Sequence, residues 1–417
     1  MSGPIGSSQL MYSSAAGDFY SHQIGNSTRF NGTGYLNDAR SGDGSNSHGT
    51  ISCWFKRAKL SSYQYIFTAY EDGNNAVRLT ILADDTLEFR GETGGAVKFE
   101  IETTRVFRDP AAWYHFVGII DMDNGTQADR AQVYINGERQ PVLDTSTMPA
   151  DASQTMVLNT GANLRIGAAS DASYDYNGLI TEFVVIDGTA QAVSDFGETK
   201  NGVWIPKNPS GLTFGTNGVY LKMADSSNLG TDSSGNGHTF ALTNIDSNDH
   251  TIDSPTFNSS NGGNFCTLNE LAKGSNATLS EGGLRASGNS SDGSYVPSTM
   301  AFKTGKWYCE FLVIDQLEGW PYVSVCDYEN TQLLTSVGQV FAIRYQADGD
   351  LEENDAGNTA SFGSITLDST GLGTYTDGDI IGTYIDCDNK KLWFTKNGAF
   401  VNSGDPSAGT NPQASWT

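Results

Sequence analysis

Apolar and polar residues alternate over many short stretches of this chain, and residues that favour turns separate the stretches. Over residues 49–55, Ile51, Cys53 and Phe55 alternate with polar or amphipathic neighbours, as expected of a strand with one buried face. The turn-forming residues 71–75, Glu-Asp-Gly-Asn-Asn, then separate the next two stretches. Nowhere does a 3.6-residue apolar period persist for three helical turns. The pattern predicts an all-β protein of antiparallel strands.

The clearest strand pair of the first half lies around a polar loop rich in Asp, Asn and Gly. Residues 113–121 read Trp-Tyr-His-Phe-Val-Gly-Ile-Ile-Asp, and residues 132–138 read Gln-Val-Tyr-Ile-Asn-Gly-Glu. Within the second run, Asn136 and Gly137 are residues typical of a tight turn with positive φ. A long apolar run at 178–187 predicts a further strand of the same domain.

A long polar segment divides the chain. Residues 218–223 form one more alternating stretch, predicted to close the edge of a first β-sandwich, and the Asx-, Gly- and Ser-rich residues that follow favour turns. We therefore predict two tandem antiparallel β-sandwiches of the jelly-roll type joined by an Asx/Gly/Ser-rich linker. The predicted boundaries are an N-terminal segment 1–25, a first sandwich 26–224, a joint 225–265 and a second sandwich 266–417.

The N-terminal segment has two interpretations. Residues 1–25 are small and polar, with Leu10, Met11, Phe19 and Tyr20 interspersed. They form either a frayed tail or a docking arm that becomes ordered against another subunit. The large apolar residues favour the docking arm.

Charge and composition exclude several classes of partner. The 417 residues include 24 Lys and Arg against 48 Asp and Glu, for a formal charge of −24. A field of this sign repels phosphate backbones and argues against nucleic acid as a partner. Neither an 18-residue apolar run nor a secretion signal is present, which predicts no membrane insertion. Five cysteines without paired spacing predict buried thiols and synthesis in a reducing cytosol.

Two stretches of the first half carry a family resemblance. Residues 27–36, Ser-Thr-Arg-Phe-Asn-Gly-Thr-Gly-Tyr-Leu, and the pair 113–121 with 132–138 resemble laminin-G-like, concanavalin-type jelly rolls. The segment 211–258, with its F-G-T-N-G-x-Y-L and D-S-S-G-N-G strings, is similar to one that recurs in large structural proteins of marine bacteriophages. There it joins such a jelly roll to a following β-sandwich.

The second half resembles a SPRY domain. Residues 305–311 match G-K-W-Y-x-E-F, and the later run 377–398 matches D-G-D-I-I-G followed by L-W-F-x-K-N-G. The final strand that the family places after the K-N-G hairpin is not evident in the sequence. This departure predicts a domain without its last strand, either because the chain was cut short or because a neighbouring subunit supplies it.

Catalytic patterns are missing from the sequence. Concanavalin-type jelly rolls include glucanases whose E-x-D-x-x-E strand aligns two carboxylates, and this chain has no such string. Glu100 and Glu102 share one face of a short strand, but Lys98 and Thr104 beside them indicate an exposed sheet edge. The five histidines are scattered without zinc-ligand spacing. We therefore expect a non-enzymatic protein, with a polysaccharide depolymerase as an alternative.

Loop aromatics are the predicted ligand-binding residues. Tyr174, Asp175 and Tyr176 lie in a polar loop between strands, and Trp320 and Tyr322 lie on the corresponding side of the second sandwich. Aromatic rings beside carboxylates suit the C–H faces and hydroxyl groups of sugars, or a protein epitope. The alternative is that these rings fold back onto their own domain.

Calcium is the only cofactor that the sequence suggests. Asp171, Asp225, Asp232 and Asn236 offer oxygen ligands at the rim of the first sandwich, where laminin-G-like relatives often hold one Ca²⁺. The same residue types also cap turns, so both interpretations stay open.

The phage resemblance implies a biological setting. It predicts a virion protein at the tail or capsid surface, made in the host cytoplasm, and most simply a tail fibre or host-recognition component. The implied partners are other virion proteins, further copies of the same chain, and a host-surface glycan or protein. A capsid-attached fibre or decoration protein is the alternative within the same setting.

Overall fold

The computed structural model describes most of the chain as β-structure. The described residues are 19–40, 44–141, 148–149, 162–257, 263–288, 294–316, 321–326, 342–354, 364–368 and 370–417. Their named elements are β-strands in antiparallel ladders and single-turn 3-10 helices, which confirms the all-β prediction. Among them, no helix has the length and apolarity needed to span a membrane.

The chain divides into two compact units. The first comprises Met1–Leu271 with Leu279–Arg285, and the second comprises Ala272–Thr278 with Ala286–Thr417. The strands of the first unit are β1 (Ser27–Asn31), β2 (Tyr35–Ala39), β3 (His48–Arg57), β4 (Gln64–Asp72), β5 (Asn75–Ile81), β6 (Leu87–Thr93), β7 (Ala96–Glu102), β8 (Trp113–Asp121), β9 (Ala131–Ile135), β10 (Glu138–Arg139), β11 (Asn163–Ile166), β12 (Asn177–Asp187), β13 (Gly197–Lys200), β14 (Val203–Pro206), β15 (Val219–Leu221), β16 (Ala241–Thr243) and β17 (His250–Thr251). Its 3-10 turns are Gln127–Asp129, Val193–Asp195, Pro209–Gly211, Ser247–Asp249 and Glu281–Gly283.

Two large sheets form the first unit. One is eight-stranded in the order β10-β9-β8-β3-β12-β1-β17, with β15 also paired to β12, and the other is seven-stranded in the order β16-β2-β11-β4-β5-β6-β7. Side chains from the facing sides of both sheets share one buried cluster, for example Phe55 and Phe116 with Phe67, Leu79 and Phe89. The predicted hairpin of β8 and β9 is present, and Asn136 has the expected positive φ of 51°.

The two sheets differ on their outer faces. In the eight-stranded sheet, β3 and β12 are buried along almost their whole length, because residues 190–220 cover it with a second apolar cluster that includes Phe196 and Phe214. His115 on this side stacks on Trp54 and Trp204, and burial lowers its pKa to about 3. In the seven-stranded sheet, by contrast, core residues alternate with polar outward-facing ones. Of these two sheets, the seven-stranded one has the polar outer face in the part of the chain that the structure describes.

The segment predicted as a joint belongs to the first sandwich. β16 pairs with β2, β17 pairs with β1, and Phe240 lies in the core. Lys56 donates to Asp253 (2.8 Å) and to the carbonyl oxygen of Phe265 (2.7 Å), and both charged side chains are buried. The predicted boundary at residue 224 therefore lies too early, because polar residues beyond it complete both sheets and a buried ion pair.

The described part of the N-terminal segment also packs on the first unit. Ile24 is buried, and its backbone N–H donates to the hydroxyl of Thr256 (2.7 Å). Lys200 donates to the carbonyl oxygen of Phe19 (2.7 Å). Residues 19–25 are therefore part of this domain, whereas residues 1–18 of the predicted docking arm lie outside the described residues.

The second unit is also built from two sheets. The paired strands β18 (Thr278–Ser280) and β19 (Arg285–Ser287) each have residues in both units. The further strands of the second unit are β20 (Lys306–Leu312), β21 (Tyr322–Cys326), β22 (Ala342–Gln346), β23 (Leu351–Asn354), β24 (Ile365–Leu367), β25 (Ile380–Asp386), β26 (Lys391–Lys396), β27 (Ala399–Phe400) and β28 (Ala414–Trp416). A 3-10 turn spans Val401–Ser403. A six-stranded sheet, β20-β25-β26-β28-β24 with β27 on β26, shares a core with the sheet β21-β22-β23.

One expectation for the second unit is corrected. β28 follows the Lys396–Asn397–Gly398 turn and lies between β26 and β24. The sequence pattern did not predict this strand because it has only three residues and comes after a Gly-, Ser- and Pro-containing loop.

The prediction of buried cysteines is also corrected in part: Cys53 is buried, but Cys266 and Cys309 are exposed.

Replacing Lys56 by Met should destabilise the first unit, because Asp253 would be left as a buried charge without its cation. The expected loss in free energy of unfolding is about 3–5 kcal/mol, measured by urea titration of the full chain. Lys59→Met, at an exposed neighbouring position, is the matched control and should change stability by less than about 0.5 kcal/mol. The double variant Lys56→Met/Asp253→Leu should recover part of the loss, and a strictly additive double loss would contradict the pairing.

Candidate functional site

A buried tyrosine fixes the loop in which the sequence predicted ligand contacts. Tyr176 is fully buried, its hydroxyl donates to the carbonyl oxygen of Lys56 (2.8 Å), and its N–H donates to the carbonyl oxygen of Gly167 (2.7 Å). Its place in the predicted binding set is corrected, because a ring enclosed by the core has no surface left for a ligand. Tyr176 instead determines where the preceding residues lie.

Tyr174 lies on the surface two residues earlier. Its side chain is 58% exposed, and its ring centroid is 5.3 Å from that of Tyr63 and 6.3 Å from that of Tyr65. The N–H of Tyr65 donates to the carbonyl oxygen of Tyr174 (2.9 Å). We call these three residues the tyrosine cluster. Tyr174 also has a φ of 54°, a conformation that costs an aromatic residue free energy and that the surrounding contacts must maintain.

The two aspartates of this loop have different environments. Asp171 is exposed and accepts hydrogen bonds from the N–H (3.1 Å) and hydroxyl (2.5 Å) of Ser173. Asp175 is half-buried, and within the described residues its Oδ1 is enclosed without a hydrogen-bond partner. Burial raises the pKa of Asp175, while Arg165 opposes the rise. Asp171 caps its own turn, and Asp175 keeps an unused acceptor beside the tyrosine cluster.

The tyrosine cluster stands at one end of the outer face of the seven-stranded sheet. Tyr65 on β4 is opposite Thr80 on β5, Thr80 is opposite Glu88 on β6, and Glu88 is opposite Glu102 on β7. With adjacent strands about 4.8 Å apart, this row extends roughly 14 Å from Tyr65 to Glu102. Aromatic rings and carboxylates thus share one continuous surface.

Ion pairs occupy the middle of this face. Arg78 on β5 contacts Glu88 (3.4 Å) and Glu92 (3.5 Å), and Arg90 on β6 contacts Glu92 and Glu100 (3.2 Å to Glu100). We call these five residues the charged ladder. Each of their side chains is between 9% and 23% exposed. The ladder therefore lines the face without projecting from it.

Two carboxyl groups of the ladder influence each other. The pKa of Glu100 is raised by burial and then by the neighbouring carboxyl group of Glu88, with Arg90 opposing the rise. β7 is the terminal strand of its sheet, so Glu100 and Glu102 do lie at a sheet edge, as the sequence predicted.

The residues predicted as calcium ligands act as turn caps. Asp225 accepts from the N–H (2.9 Å) and hydroxyl (2.6 Å) of Ser227, and Asp232 accepts from the backbone N–H groups of Tyr220 (3.0 Å) and Ser234 (2.9 Å). Asn236 donates to the carbonyl oxygens at 215 (2.6 Å) and 218 (2.8 Å). Asp171 belongs to a different loop. In the described part of the chain, no group of three or more His, Cys, Asp or Glu is placed to hold a metal ion. Calcium binding here stays a prediction.

The structure describes one of the two binding residues that the sequence predicted in the second unit. Trp320 lies outside the described residues. Tyr322 is half-buried in β21, opposite Gln346, with the guanidinium of Arg344 above its ring (4.7 Å). The structure therefore places Tyr322 on a strand instead of in a loop.

Sequence reasoning identified Tyr174 and missed the residues around it. Tyr63 and Tyr65 lie more than a hundred positions away from it, so no local pattern links them to Tyr174. The alternation in β5, β6 and β7 was a usable signal, because it assigns Arg78, Glu88 and Glu100 to a polar face. The register that brings these residues together requires the folded sheet.

Comparisons with known proteins agree with this architecture. A laminin G type family, described as the Concanavalin A-like lectin/glucanases superfamily, matches residues 12–192. A search of curated proteins finds no significant match. The fold of the first unit and the family match together define a laminin G-like, concanavalin A-like jelly-roll domain.

Several solved structures are similar at low identity. The native heptameric SAP-like pentraxin of Limulus polyphemus is 18% identical (41% of this chain and 80% of that chain, TM-score 0.31). The CBM40 of the Ruminococcus gnavus IT-sialidase, bound to alpha2,3 sialyllactose, is 19% identical (39% and 89%, TM-score 0.29). Domains LG4-5 of the mouse laminin alpha1 chain are 9% identical (95% and 81%, TM-score 0.36). At such identities and TM-scores, these similarities assign no ligand to this chain.

Replacing Tyr176 by Phe should destabilise the first unit by about 1–2 kcal/mol, because the buried carbonyl of Lys56 loses a hydroxyl donor. The free energy of unfolding from urea titration measures this. Tyr134→Phe is the control, since that hydroxyl bonds only to the half-buried Gln132 side chain. Equal stability of both variants and the wild type would contradict the anchoring role of Tyr176.

Proposed function

We propose that this protein binds glycans through the tyrosine cluster and the adjoining outer face of the seven-stranded sheet. The observation that carries the proposal is the convergence of three tyrosines from two separate segments, one of them exposed and held at positive φ, beside a row of carboxylates. Aromatic faces suit the C–H surfaces of sugar rings, and carboxylates accept hydrogen bonds from sugar hydroxyl groups. The opposite sheet offers no comparable face, because residues 190–220 cover it.

We propose that the carboxylates of this face bind sugars and do not catalyse their hydrolysis. Retaining glycosidases hold their two carboxyl groups about 5–5.5 Å apart, and inverting enzymes hold them farther apart. Glu88 and Glu100 are each engaged in an ion pair with an arginine of the ladder, which favours a role in binding and structure over one in catalysis. The polysaccharide depolymerase remains the competing hypothesis, and release of new reducing ends from a bound polysaccharide would establish it.

The biological setting that we propose is a phage virion. It rests on the resemblance of residues 211–258 to a segment of marine bacteriophage structural proteins. In this setting the protein is a tail fibre or host-recognition component, present in several copies, and the jelly roll contacts a host-surface glycan. The SPRY-like resemblance of the second unit suggests a protein contact for that unit. Attachment to the capsid as a fibre or decoration protein is the alternative.

Replacing both Tyr63 and Tyr174 by Ala should weaken glycan binding at least about tenfold, since stacking contacts typically contribute about 1 kcal/mol or more per ring. Isothermal titration or a glycan array with the full chain measures the change. Tyr308→Ala is the matched control, because Tyr308 is similarly exposed (46%) but belongs to the second unit. If the control weakens binding as much as the double variant, the site lies elsewhere.

Gold-labelled antibody against this chain should mark the tails of intact phage particles that carry it, as viewed by electron microscopy. The same antibody should then block adsorption to host cells. Label confined to the capsid would favour the decoration or head-fibre role. Particles without label would remove the virion setting, while leaving the glycan-binding proposal to its own test.

A further inference from the structure

The arginines of the proposed binding face already have anionic partners. Arg78 lies against Glu88 and Glu92, and Arg90 lies against Glu92 and Glu100. A carboxylate or sulfate group of a ligand would have to displace one of these glutamates to reach a guanidinium. The displaced glutamate would then remain on the same face without its cation, at a cost in free energy.

The third arginine of the face is engaged as well. Arg165 on β11 donates to the carbonyl oxygens of Ala169 (2.8 Å) and Ser170 (2.7 Å) and to the side chain of Asn37 (3.2 Å). Its guanidinium also lies over the ring of Tyr35 (4.6 Å). Arg165 thus braces the loop that carries Tyr174, and its donors are directed at protein carbonyls.

Lys98 lies at the other end of the face. It is on the same side of β7 as Glu100 and Glu102, four positions before Glu102, which belongs to the row of Tyr65. That separation is about 13 Å along the strand. A sugar stacked on the tyrosine cluster therefore lies far from Lys98, and the nearer cations Arg78 and Arg165 already direct donors at protein oxygens.

Carboxylates continue the row that begins at the tyrosine cluster. Glu88 and Glu102 follow Tyr65 and Thr80 across the sheet, and Glu102 has only the hydroxyl of Thr86 as a hydrogen-bonding partner (3.2 Å) in the described residues. Such a surface accepts hydrogen bonds from hydroxyl groups and repels a ligand of its own sign.

We propose that the face selects uncharged glycans and rejects glycans that carry carboxylate or sulfate groups. The inference rests on the proposed function and specifies its ligand class. Hydroxyl groups of a neutral glycan donate to Glu88, Glu100 and Glu102 without displacing the glutamates from the arginines. An acidic glycan meets the carboxylates of this row and finds Arg78 and Arg90 already paired. The glutamates of the ladder are therefore specificity determinants as well as structural partners of the arginines.

Matched polysaccharides that differ only in charge test the proposal. The probes are dextran against dextran sulfate, and methyl-esterified polygalacturonate against polygalacturonate, each titrated with the full chain. For at least one neutral backbone, binding should exceed that of its anionic counterpart by about tenfold or more at low salt. The gap should narrow as salt rises, because screening weakens the repulsion between like charges.

The variant Glu88→Gln/Glu100→Gln removes two negative charges and leaves Glu92 as the one ladder carboxylate that pairs with Arg78 and Arg90. Its ratio of neutral to anionic binding should fall at least about fivefold relative to the wild type. Asp123→Asn/Glu138→Gln is the control with the same change in net charge, at side chains that are 68% and 76% exposed and lie outside this face. The control should keep the wild-type ratio. Melting curves of both variants verify that they are folded.

Three results separate the two hypotheses. Preference for neutral probes that the ladder variant loses and the control keeps supports the inference. Equal or tighter binding of the anionic probes, abolished by Tyr63→Ala/Tyr174→Ala, overturns the charge selection and leaves the glycan-binding proposal standing. Failure of every probe to bind, or binding that the tyrosine variant does not weaken, overturns the glycan-binding proposal and the inference with it.

Discussion

The hydroxyl group of Tyr176 donates to the carbonyl oxygen of Lys56 inside the core of the first unit, and the geometry of the proposed site depends on this bond. Burial of the ring holds the end of the loop at residues 168–176 against β3, so Tyr174 must leave the core on the side of Tyr63 and Tyr65. The exposed tyrosine can then keep its positive φ, because the fold supplies the free energy that this conformation costs.

The unequal covering of the two sheets explains why a ligand is expected on one of them. β3 and β12 are buried on both sides and behave as central strands of a three-layered structure. The strands β4 to β7 keep a polar face, and ion pairs satisfy its charges without apolar cover. A face that is ordered by its own network loses little further freedom when a ligand binds, which favours affinity.

Much of the fold could be predicted from the sequence, because period-two alternation and turn residues are local signals. The hairpin of β8 and β9 and the long strand β12 are present where the pattern placed them. The extent of the first sandwich was underestimated, because β16 and β17 have three and two residues and lie in polar sequence. Tyr176 was assigned to the surface for a related reason: burial in a loop depends on packing partners that are distant in sequence. Tyr174 was recognisable alone, but its neighbours required the register of the sheet.

The pairing of β16 with β2 and of β17 with β1 also has a consequence for biosynthesis. The early strands β1 and β2 pair with β17 and β16, which are translated some two hundred residues later. Until residue 251 has left the ribosome, β1 and β2 each lack one of their ladder partners, and unpaired strands pair readily with other chains. Long-range closure of this kind slows folding, so the nascent first unit is exposed to aggregation for longer than its compact final form suggests.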